Sequence, residues 1–163
     1  MLLQTMKKVS GILPGSVKNY LGKVRRRILT HPRRIQRDLR QYLNNSKLTS
    51  EQVELLRKIN TKVHYDDEMY IGGGHYFMAG LSTIDCVEAV LAQTNQVSIQ
   101  NILDIPCGYG RALRTLAAHF SQAELTACDI QTEAVDFVRK PLRQRPFIQM
   151  RTSQISLLPK SLI

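Results

Sequence analysis

The chain has 163 residues, 43% apolar and 22% charged, with a formal net charge of +10. That composition provides for one modest globular domain and excludes a disordered polyelectrolyte. Cys86, Cys107 and Cys128 form no C-x-x-C pair, which argues against a metal site or disulfide framework and fits a cytoplasmic, reducing compartment; the start MLLQTMKKVSGILPG lacks a signal-peptide core, and no stretch approaches a transmembrane segment.

The charge is uneven along the chain. Residues 1–47 hold twelve Lys and Arg against one acid, Asp38, while the remainder holds eleven basic residues against twelve acids. The positive character therefore belongs to an N-terminal arm. Val17–Leu29 sets Val17, Tyr20, Leu21, Val24, Ile28 and Leu29 on one helical face, with Lys23 and Arg25–Arg27 around it. His31-Pro32 interrupts the pattern, and Arg34–Leu43 repeats it with Ile35, Leu39, Tyr42 and Leu43. Three readings of the arm stay open. Its charged face is simply solvated while its apolar face packs on the domain or a partner, or it contacts an anionic membrane or polymer surface, or it contacts a nucleic-acid backbone.

Asn44–Ser50 reads as a linker, with Ser50 capping a helix over Glu51–Asn60 that turns Val53, Leu56 and Ile59 inward. Gly72–Gly74 reads as a flexible link. Ser82 then starts a helix over Thr83–Thr94, with Ile84, Val87, Val90 and Leu91 inward. This divides the chain into a basic helical arm (1–47), a helical cap or lid (48–98) and an α/β portion (99–163).

The α/β portion carries the chemistry. Asn101–Gly110, NILDIPCGYG, is an apolar run with Asp104 near its end and a tight turn containing Gly108 and Gly110; a helix over Arg111–Phe120 follows. Strand, glycine loop and helix N-terminus form the arrangement by which a parallel α/β sheet holds a nucleotide-like ligand. A second strand, Glu124–Cys128, ends at Asp129, nineteen residues after Gly110, where a carboxylate can accept hydrogen bonds from two ribose hydroxyls. Thr132–Lys140 is a helix stopped by Pro141, and Phe147–Met150 is a third strand. The fold class is α/β: a partial, Rossmann-like, doubly wound parallel sheet preceded by N-terminal helices. Leu113 stands where a dinucleotide fingerprint needs its third glycine, and no Gly-Lys-Ser/Thr run exists. A carboxylate inside the first strand would repel a pyrophosphate and suits a cationic ligand without phosphate.

Residues Ile102–Gly110 and Leu125–Asp129 resemble motif I and the following acidic motif of class I S-adenosylmethionine-dependent methyltransferases, with the resemblance covering roughly Ile71–Ile163. It implies S-adenosyl-L-methionine as cofactor, with Asp104, Cys107, Gly108 and Gly110 on the methionine side, Asp129 on the ribose and Ile130 against the adenine. It implies a small-molecule or glycan-type methyl acceptor and assigns no catalytic residue. It offers Tyr70, His75 and Tyr76 as lid residues. Two positions depart from the family pattern: Pro106 replaces a loop glycine, and RTSQ at 151–154 lacks an acid for the adenine amino group, leaving Ser153 as an acceptor. Since only half of a doubly wound sheet precedes Ile163, the sequence also suggests the front part of a longer enzyme, expected to be poor or inactive in methyl transfer by itself. The alternatives are a non-catalytic binding module on a degenerate half-fold and, disfavoured by Asp104 and Leu113, a nicotinamide enzyme.

Overall fold

The computed structural model describes residues 14–45, 47–94, 96, 98–142 and 147–151. Four helices come first: α1 (Gly15–Leu29), α2 (Pro32–Asn45), α3 (Ser50–Lys58) and α4 (His75–Thr94). Strands and helices then alternate: β1 (Asn101–Asp104), α5 (Leu113–His119), β2 (Glu124–Asp129), α6 (Thr132–Leu142) and β3 (Phe147–Arg151). The sheet is parallel in the order β1-β2-β3, with Asp104 opposite Ala127 and Asp129 opposite Arg151. The α/β class is thus as expected, and all three strands begin or end within a residue or so of their expected positions.

Two apolar clusters support this arrangement. Cys107, Leu113, Ala117, Leu125, Ala127, Val135 and Val138 fill the space between sheet and helices. Ile35, Leu39, Leu56, Ile59, Tyr70, Tyr76, Phe77 and Leu81 make a second cluster, from α2, α3, α4 and the connection between α3 and α4. Helix α5 serves both, since Leu113 and Ala117 face the sheet cluster while Ala118 packs on the helical one. The packing therefore fixes the helices against the same α5 that follows the glycine loop.

Several boundaries differ from expectation, each for a local reason. Thr49, not Ser50, caps α3: its hydroxyl accepts from Gln52 N–H at 3.2 Å while Gln52 Oε1 accepts from Thr49 N–H at 3.2 Å. With Ser50 as cap, the third helical residue would be Val53, which cannot return a hydrogen bond. Helix α4 starts at His75, a full two turns before Thr83. Gly80 and Ser82 look like a boundary, but Gly80 is interior to the helix because a side chain there would collide with Thr115 of α5. Helix α5 is shorter than expected, with residues 111–112 still in the turn, and α6 runs through Pro141 to Leu142.

The arm splits in behaviour. In α2 the apolar face is packed as one reading had it, with Ile35 and Leu39 buried. In α1 only Leu29 is buried; Val17, Tyr20 and Ile28 are 38%, 66% and 49% exposed. At 3.6 residues per turn, Gly22, Arg26 and Leu29 share one side of α1, and Val17, Tyr20, Val24 and Ile28 share another. Residues 1–13 and 152–163, including Ser153, lie outside the described residues. Among the described residues no helix is long and apolar enough to cross a membrane.

Candidate functional site

The loop after β1 is tied down at both ends by backbone. Cys107 N–H donates to Cys128 O at 3.0 Å, linking the loop to β2, and Gly110 N–H donates to Cys107 O at 2.9 Å, closing the turn. Burial, aided by the carboxylates of Asp104 and Asp129, pushes the Cys107 thiol up to about 12, so it is a neutral thiol. Its side chain lies in the sheet cluster. Gly108 and Gly110 both have positive φ, 48° and 76°. They differ in what surrounds them: a Cβ at Gly108 would meet nothing within 4 Å, whereas a Cβ at Gly110 would come within 2.6 Å of Val138 Cγ1. Gly108 therefore leaves open space above the loop, and Gly110 lets the loop lie close on α6.

Asp129 organises this loop. Its Oδ2 accepts from Gly108 N–H at 2.8 Å and its Oδ1 from Gln131 N–H at 2.9 Å, while the residue is buried. Each oxygen retains a free lone-pair direction. Asp104 is different. Its Oδ2 is buried without a hydrogen-bond partner. Burial first, and the Asp129 charge second, push its carboxyl up to about 6. A buried carboxylate atom lacking a partner is costly, and its cost is relieved by a cation or donor brought to it. Ile130 follows Asp129 with 81% exposure.

A cleft of about 860 Å³ opens beside these residues. Pro106, Gly108, Tyr109, Asp129, Ile130 and Glu133 form its α/β side, and Asp66, Asp67, Glu68, Met69 and Arg26 face them from the helical part. Arg26 Nη1 and Glu68 Oε1 pair at 2.6 Å on the rim. Of the sequence-predicted site residues, Gly108, Asp129 and Ile130 line this cleft. Asp104 lies close enough to Asp129 to feel its charge, while Cys107 and Gly110 turn toward the core.

The lid is built from other residues than those expected. Tyr70 and Tyr76 are 3% and 2% exposed, donating to Asp38 Oδ2 at 2.8 Å and Asp67 Oδ2 at 2.6 Å. Burial raises both phenols well above their ordinary range. They hold the helices, and the segment 66–69 just before Tyr70 forms the cleft wall. His75 is exposed. A second group was not singled out in the sequence. Arg114 is buried in α5, donating to the carbonyls of Asn60 and Lys62 (both 2.8 Å), Gly110 (2.9 Å) and Tyr109 (3.1 Å), and to Tyr76 Oη (3.0 Å). It thereby clips the glycine loop to the start of the lid. His64 stacks on Tyr109, with ring centroids 4.6 Å apart. His64, Asp66 and Glu133 each bring one ligand-type atom within 4.8 Å of the others at the rim.

A parallel strand, a glycine turn held by the acid of the next strand, and a carboxyl with one buried, partnerless oxygen make up an α/β site whose acidic groups favour a cationic ligand. The methyltransferase domain family matches the chain over residues 102–161, a span that begins in β1, holds the loop and both acids, and is less than half of the chain. Over that span the resemblance to class I S-adenosylmethionine-dependent methyltransferases is borne out. No curated protein and no solved structure matches the chain.

Proposed function

We propose that this chain binds S-adenosyl-L-methionine in the cleft beside Gly108 and takes part in methyl transfer to a small-molecule or glycan-type acceptor. The observation that carries the reading is Asp104: a half-buried residue whose Oδ2 is buried without a partner among the described residues, close enough to Asp129 to feel its charge, in the strand that leads into the loop of Gly108. Asp104 receives the ligand's ammonium group. Asp129, its two oxygens already fixing Gly108 and Gln131, uses its remaining lone pairs for ribose hydroxyls, and exposed Ile130 supplies an apolar surface for the adenine. Bound there, the cofactor supplies a methyl group on a sulfonium, which is already activated toward transfer. The residues present fit such a ligand better than a dinucleotide, because Asp104 inside the first strand would repel a pyrophosphate and Leu113 stands where a dinucleotide fingerprint needs its third glycine. In this reading the sheet is the partial, doubly wound, Rossmann-like sheet of a class I enzyme in the cytoplasm.

Titration calorimetry with S-adenosylmethionine and, separately, with NAD tests this. The expected result is binding of the first alone, weakened at least tenfold in Asp104→Asn, since a hydrogen bond to a charged group contributes about 1.5–3 kcal/mol. Equal binding of NAD, or undiminished affinity in a folded Asp104→Asn protein, overturns it.

A further inference from the structure

We propose that α1 is an interfacial helix that docks this protein on a bilayer surface containing anionic lipid. The inference is independent of the methyl-transfer reading. Three observations carry it. First, α1 turns its apolar stripe outward: Val17, Tyr20 and Ile28 are exposed along one face, while Leu29 alone is buried. Second, the stripe is bordered by cations. Lys18 and Arg25 fall on one flank at helical spacing and Lys23 and Arg27 on the other, and α1 contains no acidic residue. Third, the neighbouring α2 extends the charge. Arg33, Arg37 and Arg40 are exposed there, and its one acid, Asp38, is buried and accepts from Tyr70 Oη and Gly73 N–H. The inner side of α1 is already committed to the body of the protein, with Leu29 buried and Arg26 paired to Glu68, while Arg27 at the border reaches over the Tyr65 ring at 5.7 Å.

An apolar stripe between two basic borders matches the layered chemistry of a lipid interface, where acyl chains lie beneath anionic headgroups. A nucleic-acid backbone complements only the charge. It offers nothing to Val17 and Ile28, which leaves their exposure without a return. Tyr20, with an apolar ring and a polar hydroxyl, suits the headgroup level.

The chain has no tryptophan, so Tyr20→Trp introduces a single reporter at the centre of the stripe. The full chain carrying this substitution is mixed with vesicles of phosphatidylcholine alone, vesicles with equal parts phosphatidylcholine and phosphatidylglycerol, or polyuridylate. The expected result is a blue-shifted emission with phosphatidylglycerol vesicles only, quenched by brominated acyl chains. In co-sedimentation, Lys18→Gln/Lys23→Gln/Arg25→Gln should weaken partitioning about a hundredfold, at roughly fivefold per basic residue. Val17→Ser/Tyr20→Ser/Ile28→Ser should weaken it more than tenfold, through lost apolar burial, without lowering the melting temperature. Vesicle binding that the serine variant retains in full overturns the proposal, as does displacement of the protein from vesicles by polyuridylate with no emission shift. An emission already blue-shifted without vesicles, together with a destabilised serine variant, also overturns it, because residues 1–13 would then cover the stripe.

Discussion

Asp104 works against the fold that carries it. In the unfolded chain its carboxyl titrates near 3.8, and in the folded protein it is raised to about 6. The folded state therefore holds the proton more tightly, and stability falls as pH rises from about 4 to about 6. Above that window the ionised group costs roughly 3 kcal/mol, and below it the cost is absent. Asp104→Asn should raise the melting temperature of the ligand-free protein at neutral pH, with the gain disappearing near pH 4, because an unpaired amide is cheaper to bury than a carboxylate. Thermal melts across that range check the sign. A lower melting temperature at neutral pH would show that the carboxylate is satisfied in solution. The two loop glycines separate in the same kind of experiment. Gly110→Ala combines a left-handed backbone with the Val138 contact and should cost about 2–4 kcal/mol, partly restored by Val138→Ala. Gly108→Ala has only the backbone cost, about 1–2 kcal/mol, and projects its methyl group into open space, so it should lose cofactor affinity out of proportion to stability. Calorimetry beside denaturant melts distinguishes the two, and equal ratios of affinity loss to stability loss would reject the distinction.

Between elements, the connection that matters most is Arg114. It joins α5 to the carbonyls of Asn60 and Lys62, and through Tyr76 Oη to Asp67 at the base of the cleft wall. Arg114→Leu should cost about 3 kcal/mol by leaving these carbonyls unsatisfied, and Arg114→Lys should rescue little, since a single ammonium cannot reach a fork of acceptors. Hydrogen exchange should then quicken across residues 60–70 while β2 remains protected; unchanged exchange there would sever the loop from the lid. This clip also marks where sequence reasoning stops. The strand, glycine turn and strand-end acid were legible because their signals are local: apolar runs, Gly108 and Gly110, and an acid at the end of β2. Arg114 was not, since the two partners that tie it to the helical part, Asn60 and Lys62, lie more than fifty residues away and offer only backbone carbonyls, which leave no side-chain signature. The start of α4 was missed because Gly80 reads as a helix breaker, although its small size is needed for contact with Thr115. The cleft wall was sought among aromatic residues. Tyr70 and Tyr76 instead bond the buried acids Asp38 and Asp67, and the wall falls to the acidic segment 66–69 just before Tyr70. For α1, periodicity found the apolar stripe but not its direction, which depends on Leu29 and Arg26 meeting the body from the other side.

At the scale of the whole molecule, charge is segregated on two surfaces that meet at α1. Its outer side and the exposed side of α2 are basic, whereas the cleft behind it gathers Asp66, Asp67, Glu68, Asp129 and Glu133 around Arg26, the one cation among the described residues of its lining. A concave surface lined by one sign of charge concentrates its field, so a cationic ligand should be drawn into this cleft faster than diffusion alone allows. The pairing of Arg26 with a largely exposed Glu68 adds little stability, but it neutralises part of that field at the mouth. Two substitutions thus predict opposite effects on the same rate. Arg26→Gln frees Glu68 and deepens the negative potential, so the association rate of S-adenosylmethionine at low salt should rise severalfold. Glu68→Gln/Glu133→Gln removes two charges from the rim and should lower that rate severalfold, with little change in the dissociation rate because neither residue fixes the loop or Asp129. Raising the salt toward physiological strength, where the screening length shrinks to about 8 Å, should bring the three proteins together. Stopped-flow binding across a salt series reads all of this directly. If the rates differ from wild type in the same direction, or fail to converge in salt, then access to the cleft is governed by movement of the 66–69 wall and not by its charge.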